Sequence, residues 1–289
     1  MRSSLDNVLP DVAFRRLSVA SAFIFDVDRT LADPHERMEE GILSELARLR
    51  VPAGVATART LSELEESLPS GTDLFDLFRG DLLLEDGGVI VRGGQPKGSS
   101  VEIQSLVSRS ELAAIGELRE VLRREFVSLS RDDGFGMFKD LPAPLVKFPP
   151  VNDFLTSITL WEKGPVGDPT FALACHFVAT RMREHNLDQV LTLTEVGDGT
   201  LRVTAPATNK GSGLERLSRM GRIDLSRIAY FGDGANDIPA AVTVKAHGGV
   251  VISVGSSTPA LVSLADYVTT GDGPRSVAAV LRRLNRVNR

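Results

Sequence analysis

Residues 22–31 read Ala22-Phe23-Ile24-Phe25-Asp26-Val27-Asp28-Arg29-Thr30-Leu31, an apolar run that leads directly into two carboxylates one residue apart. A short, aromatic-rich apolar run is typical of a strand buried on both faces of a parallel sheet. Alternate side chains share a face in an extended chain, so a turn can aim Asp26 and Asp28 at one small volume. Carboxylates this close repel unless a cation or a proton lies between them. The pattern favours a divalent metal site or a nucleophile beside a general acid; the alternative is a solvated acidic turn.

Strands and helices alternate on both sides of this segment. Residues 35–49 have the spacing of an amphipathic helix, residues 51–59 predict a strand, and Thr60 begins a capping box for the next helix. Two further apolar runs flank a hairpin-like turn at residues 85–88. After Lys210 a helix and the apolar runs 228–231, 250–254 and 267–268 restore the pattern. This order predicts an α/β fold with a Rossmann-like parallel core sheet.

The middle of the chain has a different character. A Gly- and Pro-containing break at residues 93–98 precedes a mixture of two helical patterns and several strand-like runs that ends near residue 205. We therefore predict an inserted α+β domain at residues 92–205, an α/β core at residues 19–91 and 206–289, and an N-terminal extension at residues 1–18.

Composition excludes several classes of protein. The 289 residues are 42% hydrophobic and 25% charged, as in a soluble globular protein, and the net charge of −5 argues against a nucleic-acid partner. The single cysteine, Cys175, excludes an internal disulfide framework and a multi-cysteine metal site. No run of about twenty apolar residues predicts a membrane span, and residues 1–16 do not resemble a signal peptide. A cytoplasmic location is the default expectation.

Polar residues with compatible chemistry stand at predicted strand ends or helix starts. In parallel sheets these positions share one edge, so the side chains can converge although they are distant in sequence. Acidic residues from two loops suit Mg²⁺, whereas a hydroxyl and an ammonium suit the oxygens of a phosphoryl group. The set describes phosphoryl transfer, in which positioning and charge neutralisation carry most of the catalysis. Its members are Asp26, Asp28, Thr57, Lys210, Asp233, Asn236 and Asp237.

The chain resembles the haloacid dehalogenase (HAD) superfamily of phosphohydrolases. Asp26-x-Asp28-x-Thr30 matches the first family motif, Thr57 the second, Lys210 the third, and residues 232–237 the fourth. The large insertion is similar to the α+β cap of the Cof-type branch, which holds sugar-phosphate phosphatases and phosphomannomutases. The resemblance implies a Mg²⁺-dependent phosphatase of a small phosphorylated metabolite, and a sugar or polyol phosphate is the expected substrate. It also implies that residues 92–205 form a cap that closes over the sheet edge. A phosphomutase and a non-catalytic binding protein on the same fold are the alternatives.

The resemblance also implies a role for each residue. Asp26 would be the nucleophile that forms an aspartyl-phosphate, and Asp28 would protonate the leaving oxygen and then activate water. Mg²⁺ would be held by Asp26, the backbone carbonyl of Asp28 and Asp233. Asp237 would support the metal through water or hold Lys210. The phosphoryl group would be contacted by Thr57, Lys210 and Asn236.

The chain departs from the family pattern at two positions. Arg29 and Ala58 both stand where the family usually has glycine. Arg29 lies directly beside the catalytic pair, where it either reaches the substrate or points to solvent. In the predicted cap, the cations Arg131, Lys139 and Lys147 are candidates for contacting a second anionic group on the substrate.

Overall fold

The structure is a computed structural model, and it describes residues 8–33, 37–94, 101–129, 156–160, 169–196, 200–255, 257–271 and 273–287. The chain divides into two compact units. The core unit comprises Met1–Leu106 and Asn209–Arg289, and the inserted unit comprises Val107–Thr208. The cations Arg131, Lys139 and Lys147 lie outside the described residues.

The described strands and helices are as follows. The strands are β1 (Ala22–Phe25), β2 (Ala53–Ala56), β3 (Leu82–Leu84), β4 (Val89–Val91), β5 (Ile103–Ser105), β6 (Ser157–Leu160), β7 (Thr192–Val196), β8 (Thr200–Thr204), β9 (Ile228–Gly232), β10 (Val250–Ser253) and β11 (Tyr267–Val268). The helices are α1 (Asp11–Leu17), α2 (Glu40–Leu46), α3 (Leu61–Glu66), α4 (Leu74–Leu77), α5 (Arg109–Leu129), α6 (Pro169–Glu184), α7 (Lys210–Arg219), α8 (Ile238–Ala246), α9 (Pro259–Leu264) and α10 (Gly273–Val287).

The core unit is built on one sheet with the strand order β11-β10-β9-β1-β2-β3-β4-β5. The pairs from β11 to β3 are parallel, whereas β4 and β5 join antiparallel at one edge. The chain adds β2 on one side of β1 and later adds β9 on the other side of β1. The winding direction of the sheet therefore reverses between β1 and β9. In open α/β sheets the ligand crevice lies at the carboxyl ends of the strands at such a reversal. The predicted α/β fold with a parallel core sheet is confirmed.

Helices cover both faces of this sheet because the central strands are apolar on both sides. Phe23 and Phe25 of β1 pack with side chains of α2 and α10, whereas Ile24 packs with side chains of α7, α8 and α9. Residues 8–17 also join the core: Leu9, Phe14 and Leu17 are buried in the same cluster as Phe25. The segment predicted as an extension therefore contributes apolar area to the core unit.

The inserted unit has its own α+β core. Strands β6, β8 and β7 form an antiparallel sheet in that order. Helices α5 and α6 supply apolar side chains that pack with those of the strands, among them Leu118, Met182, Ile158 and Val203. Burial of these side chains in a separate cluster accounts for the compactness of this unit.

The start of one helix and both limits of the inserted unit differ from the sequence prediction. Residues 35–49 were expected to form one helix, but α2 begins at Glu40, because Met38 pairs with Ala32 and its amide donates to the carbonyl of Ser67. The expected domain limits were 92 and 205, whereas the units divide after Leu106 and Thr208. Strand β5 accounts for the shift of the first domain limit, from 92 to 106, because it pairs with β4 in the core sheet.

In the described part of the chain, none of the helices has both the length and the apolar character of a membrane span.

Candidate active site

Asp26 lies directly beyond β1, at the reversal point of the sheet. Its amide donates to the carbonyl of Phe231 in β9 at 2.8 Å, so the main chain continues the parallel pairing past the end of the strand. Only 3% of the residue is exposed. A carboxylate buried this deeply requires a cation or hydrogen-bond donors at its oxygens.

Lys210 supplies that cation. It is the first residue of α7, whose N-terminus is capped by Asn209, and its side chain is fully buried. The Lys210 Nζ lies 2.6 Å from Asp26 Oδ1 and 2.6 Å from Asp237 Oδ1. One buried ammonium thus links the end of β1 to the loop that follows β9.

Asp237 organises that loop. Its Oδ1 also accepts from the Tyr230 hydroxyl at 2.5 Å, and its Oδ2 accepts from the amides of Asp233 and Gly234, both at 2.9 Å. A Cβ at Gly232 would lie 2.6 Å from the Asp237 carboxyl carbon, so glycine is needed there for the carboxylate to fold back. With four donors already bound, Asp237 is suited to holding Lys210 and shaping the loop.

Asp28 is oriented by an arginine. The Arg59 Nη2 lies 2.6 Å from Asp28 Oδ1, and its Nε lies 3.3 Å from each carboxylate oxygen. Arg59 is itself buried and donates to the carbonyl of Glu63 in α3. The Asp28 side chain keeps 48% of its surface exposed. Asp28 is therefore an accessible carboxylate with a fixed orientation, as proton transfer requires.

Thr57 and Asn236 are connected through the turn that follows β3. Thr57 is buried, and its Oγ1 accepts from the Arg59 amide at 3.2 Å. The Asn236 Nδ2 donates to Asp86 Oδ1 at 3.4 Å, and the Asp86 amide donates to the Thr57 carbonyl at 2.9 Å. Asp86 and its neighbour Glu85 both have positive φ, at 53° and 49°. Such left-handed conformations cost free energy for residues with a Cβ, and strained backbone of this kind clusters at functional sites.

Burial and crowding shift the ionisation of this cluster. Burial, followed by the Asp237 carboxylate, raises the pKa of Asp26 well above its usual range against the lowering effect of Lys210. The same two causes raise the pKa of Asp233 to about 6. Burial alone would lower the pKa of Lys210, but Asp237 and Asp26 outweigh it and hold that pKa above the usual range. At Asp26 and Asp233, burial and carboxylate repulsion thus outweigh the effect of the neighbouring positive charges on the pKa.

The donor set fits a divalent cation. Ligand oxygens of Asp26, Asp233 and Asp237 all lie within 4.8 Å of one another. Such hard, anionic oxygens are the ligands that Mg²⁺ and Ca²⁺ prefer. A cation would also offset the burial and the repulsion that raise the pKa of Asp233. Because Asp237 is bound by four donors, Asp26 and Asp233 are the better placed ligands.

Sequence reasoning assigned no role to three residues of this site: Arg59, Tyr230 and Asp86. Tyr230 offered a signal, because a tyrosine inside an apolar strand needs a partner for its hydroxyl. Arg59 follows Thr57 closely at the end of a strand, but only the structure shows that it contacts Asp28. Asp86 depends on a turn conformation that local patterns do not specify.

Asp233→Asn should stabilise the cation-free protein at neutral pH. A pKa raised from 3.8 to about 6 means that the folded state binds the proton more tightly, so this carboxyl lowers the free energy of unfolding as pH rises through that window. The shift corresponds to about 3 kcal/mol at pH 7, and we expect a gain of about 1–3 kcal/mol in chelator, smaller at pH 5. Urea unfolding at both pH values measures it, with the exposed Asp188→Asn as control. A less stable Asp233→Asn protein at pH 7.5 would contradict the conclusion that burial and the neighbouring Asp237 make the Asp233 carboxylate destabilising.

Comparisons with known proteins identify the relatives of this chain. A model of the family described as haloacid dehalogenase-like hydrolase matches residues 176–281, which include Lys210, Asp233 and Asp237. The HMP-PP phosphatase of Escherichia coli K12 is 29% identical over 232 residues, covering 76% of this chain and 80% of the relative. The HMP-PP phosphatase of Shigella boydii serotype 4 is 29% identical over 225 residues, covering 74% and 81%.

Solved structures share the fold. The trehalose-6-phosphate phosphatase of Aspergillus fumigatus has a TM-score of 0.57 at 17% identity, covering 96% of this chain and 98% of that one. A HAD/COF-like hydrolase from Plasmodium vivax has a TM-score of 0.59 at 12% identity, covering 94% and 99%. Together the family model and these relatives confirm the resemblance to haloacid dehalogenase-like hydrolases, and the solved structures confirm the fold.

Proposed function

We propose that this chain, a HAD-type phosphatase acting on a small phosphorylated substrate, is a Mg²⁺-dependent hydrolase of a sugar or polyol phosphate. The observation that carries the proposal is the buried Asp26 carboxylate, which is held by Lys210 and lies within 4.8 Å of Asp233 at the reversal point of the sheet. A purely structural ion pair would not need a third buried carboxylate in the same volume.

The residues divide the reaction between them. Asp26 attacks the phosphorus and forms an aspartyl-phosphate, while Lys210 fixes the attacking carboxylate and offsets the charge that gathers there. Asp28, oriented by Arg59, protonates the leaving oxygen and then removes a proton from the water that cleaves the acyl phosphate. Thr57 and Asn236 would bind oxygens of the transferred group. Mg²⁺, held by Asp26, Asp233 and the Asp28 carbonyl, would supply charge neutralisation.

Chelation should abolish phosphate release, and added Mg²⁺ should restore it. Ca²⁺ should restore it poorly, because it prefers more ligands at longer distances, which loosens the geometry of in-line attack. Hydrolysis of a panel of sugar phosphates, polyol phosphates, nucleotides and phosphoglycerates, with and without Mg²⁺, measures both the dependence and the substrate class. Full activity in excess chelator would contradict the proposed role of Asp233 as a metal ligand.

The same panel distinguishes the alternative reactions. Release of inorganic phosphate without a bisphosphate activator indicates a phosphatase, whereas transfer of the group back to the sugar indicates a phosphomutase. No turnover of any ester in Mg²⁺ would favour a binding protein. The cap role of residues 92–205, the cytoplasmic location and the lack of a nucleic-acid partner stay predictions.

A further inference from the structure

Arg29 occupies a backbone position that favours glycine. Its φ is 58°, in the left-handed region that residues with a Cβ adopt at a cost in free energy. The main chain is fixed there by close packing, since a Cβ at Gly273 would lie only 1.7 Å from the Arg29 carbonyl oxygen. The turn therefore holds the base of the arginine side chain in one place beside Asp28.

The Arg29 side chain leads from this turn to the candidate metal cluster. Its Nε lies 3.6 Å from Asp233 Oδ2. Among the described residues, Arg29 is the cation that forms an ion pair with Asp233. The side chain is 63% exposed, whereas that of Asp233 is 10% exposed. Arg29 is thus a cation at the outer side of a buried carboxylate, with enough solvent contact to move away.

The other cations of the site have different partners. Lys210 lies between Asp26 and Asp237, and Arg59 binds Asp28. Both are buried, so neither is free to leave its carboxylates. Of these three cations, Arg29 is the one that contacts Asp233 and is exposed enough to move away when a divalent cation binds there.

We propose that Arg29 is a built-in counter-charge of the metal site, which partly neutralises Asp233 in the cation-free protein and weakens the binding of Mg²⁺. The inference rests on the proposed function, because it requires Asp233 to be a metal ligand. A guanidinium next to a ligand oxygen repels an incoming divalent cation, and the cation must displace the ion pair before it can use that oxygen. Solvent screening of the exposed side chain limits the effect to about tenfold in affinity.

Mg²⁺ binding to chelator-stripped protein, measured by calorimetry, tests the inference without any turnover. Arg29→Gly and Arg29→Asn should both bind Mg²⁺ about tenfold more tightly than the wild type. Asparagine tolerates positive φ, so agreement between the two variants separates charge from backbone relaxation. Arg29→Lys keeps the charge and should stay within about threefold of the wild type. Raising the salt concentration from 0.05 to 0.5 M should reduce the difference in Mg²⁺ affinity between the wild type and the two neutral variants, since salt screens the repulsion between Arg29 and Mg²⁺.

The outcomes separate this inference from the proposed function. If the wild type binds Mg²⁺, Asp233→Asn does not, and Arg29→Asn binds no more tightly than the wild type, only the role of Arg29 is overturned. Tighter binding by Arg29→Gly alone would indicate a backbone effect and would also overturn it. If neither the wild type nor Asp233→Asn binds Mg²⁺, the proposed metal site is wrong, and the inference about Arg29 is overturned with it.

Discussion

Replacing Asp26 with asparagine should abolish phosphate release, with residual turnover below about one part in 10⁴. The amide is nearly isosteric, so the variant should fold, but its nitrogen and neutral oxygen cannot form the acyl phosphate. Steady-state turnover in saturating Mg²⁺ measures the loss. The exposed carboxylate of Asp11, at the start of α1, offers a matched control, since Asp11→Asn makes the same chemical change far from the site.

Asp28→Asn should lose less of the wild-type turnover than Asp26→Asn does. Asp26 can still attack, but the leaving oxygen is not protonated and the water is not activated, which typically costs about 10²–10⁴-fold. The loss should shrink with an activated ester such as p-nitrophenyl phosphate, because its leaving group needs little protonation. Wild-type turnover from either variant would mean that the assigned roles are wrong.

Lys210→Met should cause a loss of stability of about 3–5 kcal/mol at pH 7.5 in chelator. Methionine fills a similar volume, but it leaves the buried carboxylates of Asp26 and Asp237 without their shared cation. At pH 5 the loss should be smaller, because Asp26, whose pKa is already raised, then accepts a proton and needs no cation. Urea unfolding at the two pH values measures the difference.

Two further variants isolate the cause of this loss. Lys245 of α8 is exposed and donates to the carbonyl of Leu264, so Lys245→Met should cost far less. Adding Asp237→Asn to Lys210→Met should recover part of the stability, because one uncompensated charge is removed. Equal stability of Lys210→Met and the wild type would contradict the account of the buried cluster.

The candidate site was predictable wherever local patterns carry the information. An apolar run followed by Asp26 and Asp28 predicts a buried strand with carboxylates at its end, and the structure has β1 in that place. Lys210 follows a capping residue and begins α7, as its position in the sequence indicates. These features depend on periodicity and on helix caps, which act over a few residues.

Features that depend on distant pairing were not predictable in this way. The spacing of Met38, Ile42 and Leu46 correctly marks buried side chains, but Met38 is held in a bridge rather than in the helix. Strand β5 has only three residues, and it is defined by its pairing with β4. The contacts of Arg59 with Asp28 and of Tyr230 with Asp237 likewise arise only when separate elements meet.

Trapping the phosphorylated protein tests the central claim most directly. In a rapid-quench experiment, wild-type protein and the two aspartate variants are mixed with substrate labelled in its phosphoryl group and stopped in acid within milliseconds. We expect label on the wild-type chain at Asp26, more of it on Asp28→Asn with an activated ester because the second step is slowed, and none on Asp26→Asn. Label on the Asp26→Asn protein, or phosphate release from the wild type with no labelled chain at any time, would contradict covalent catalysis by Asp26.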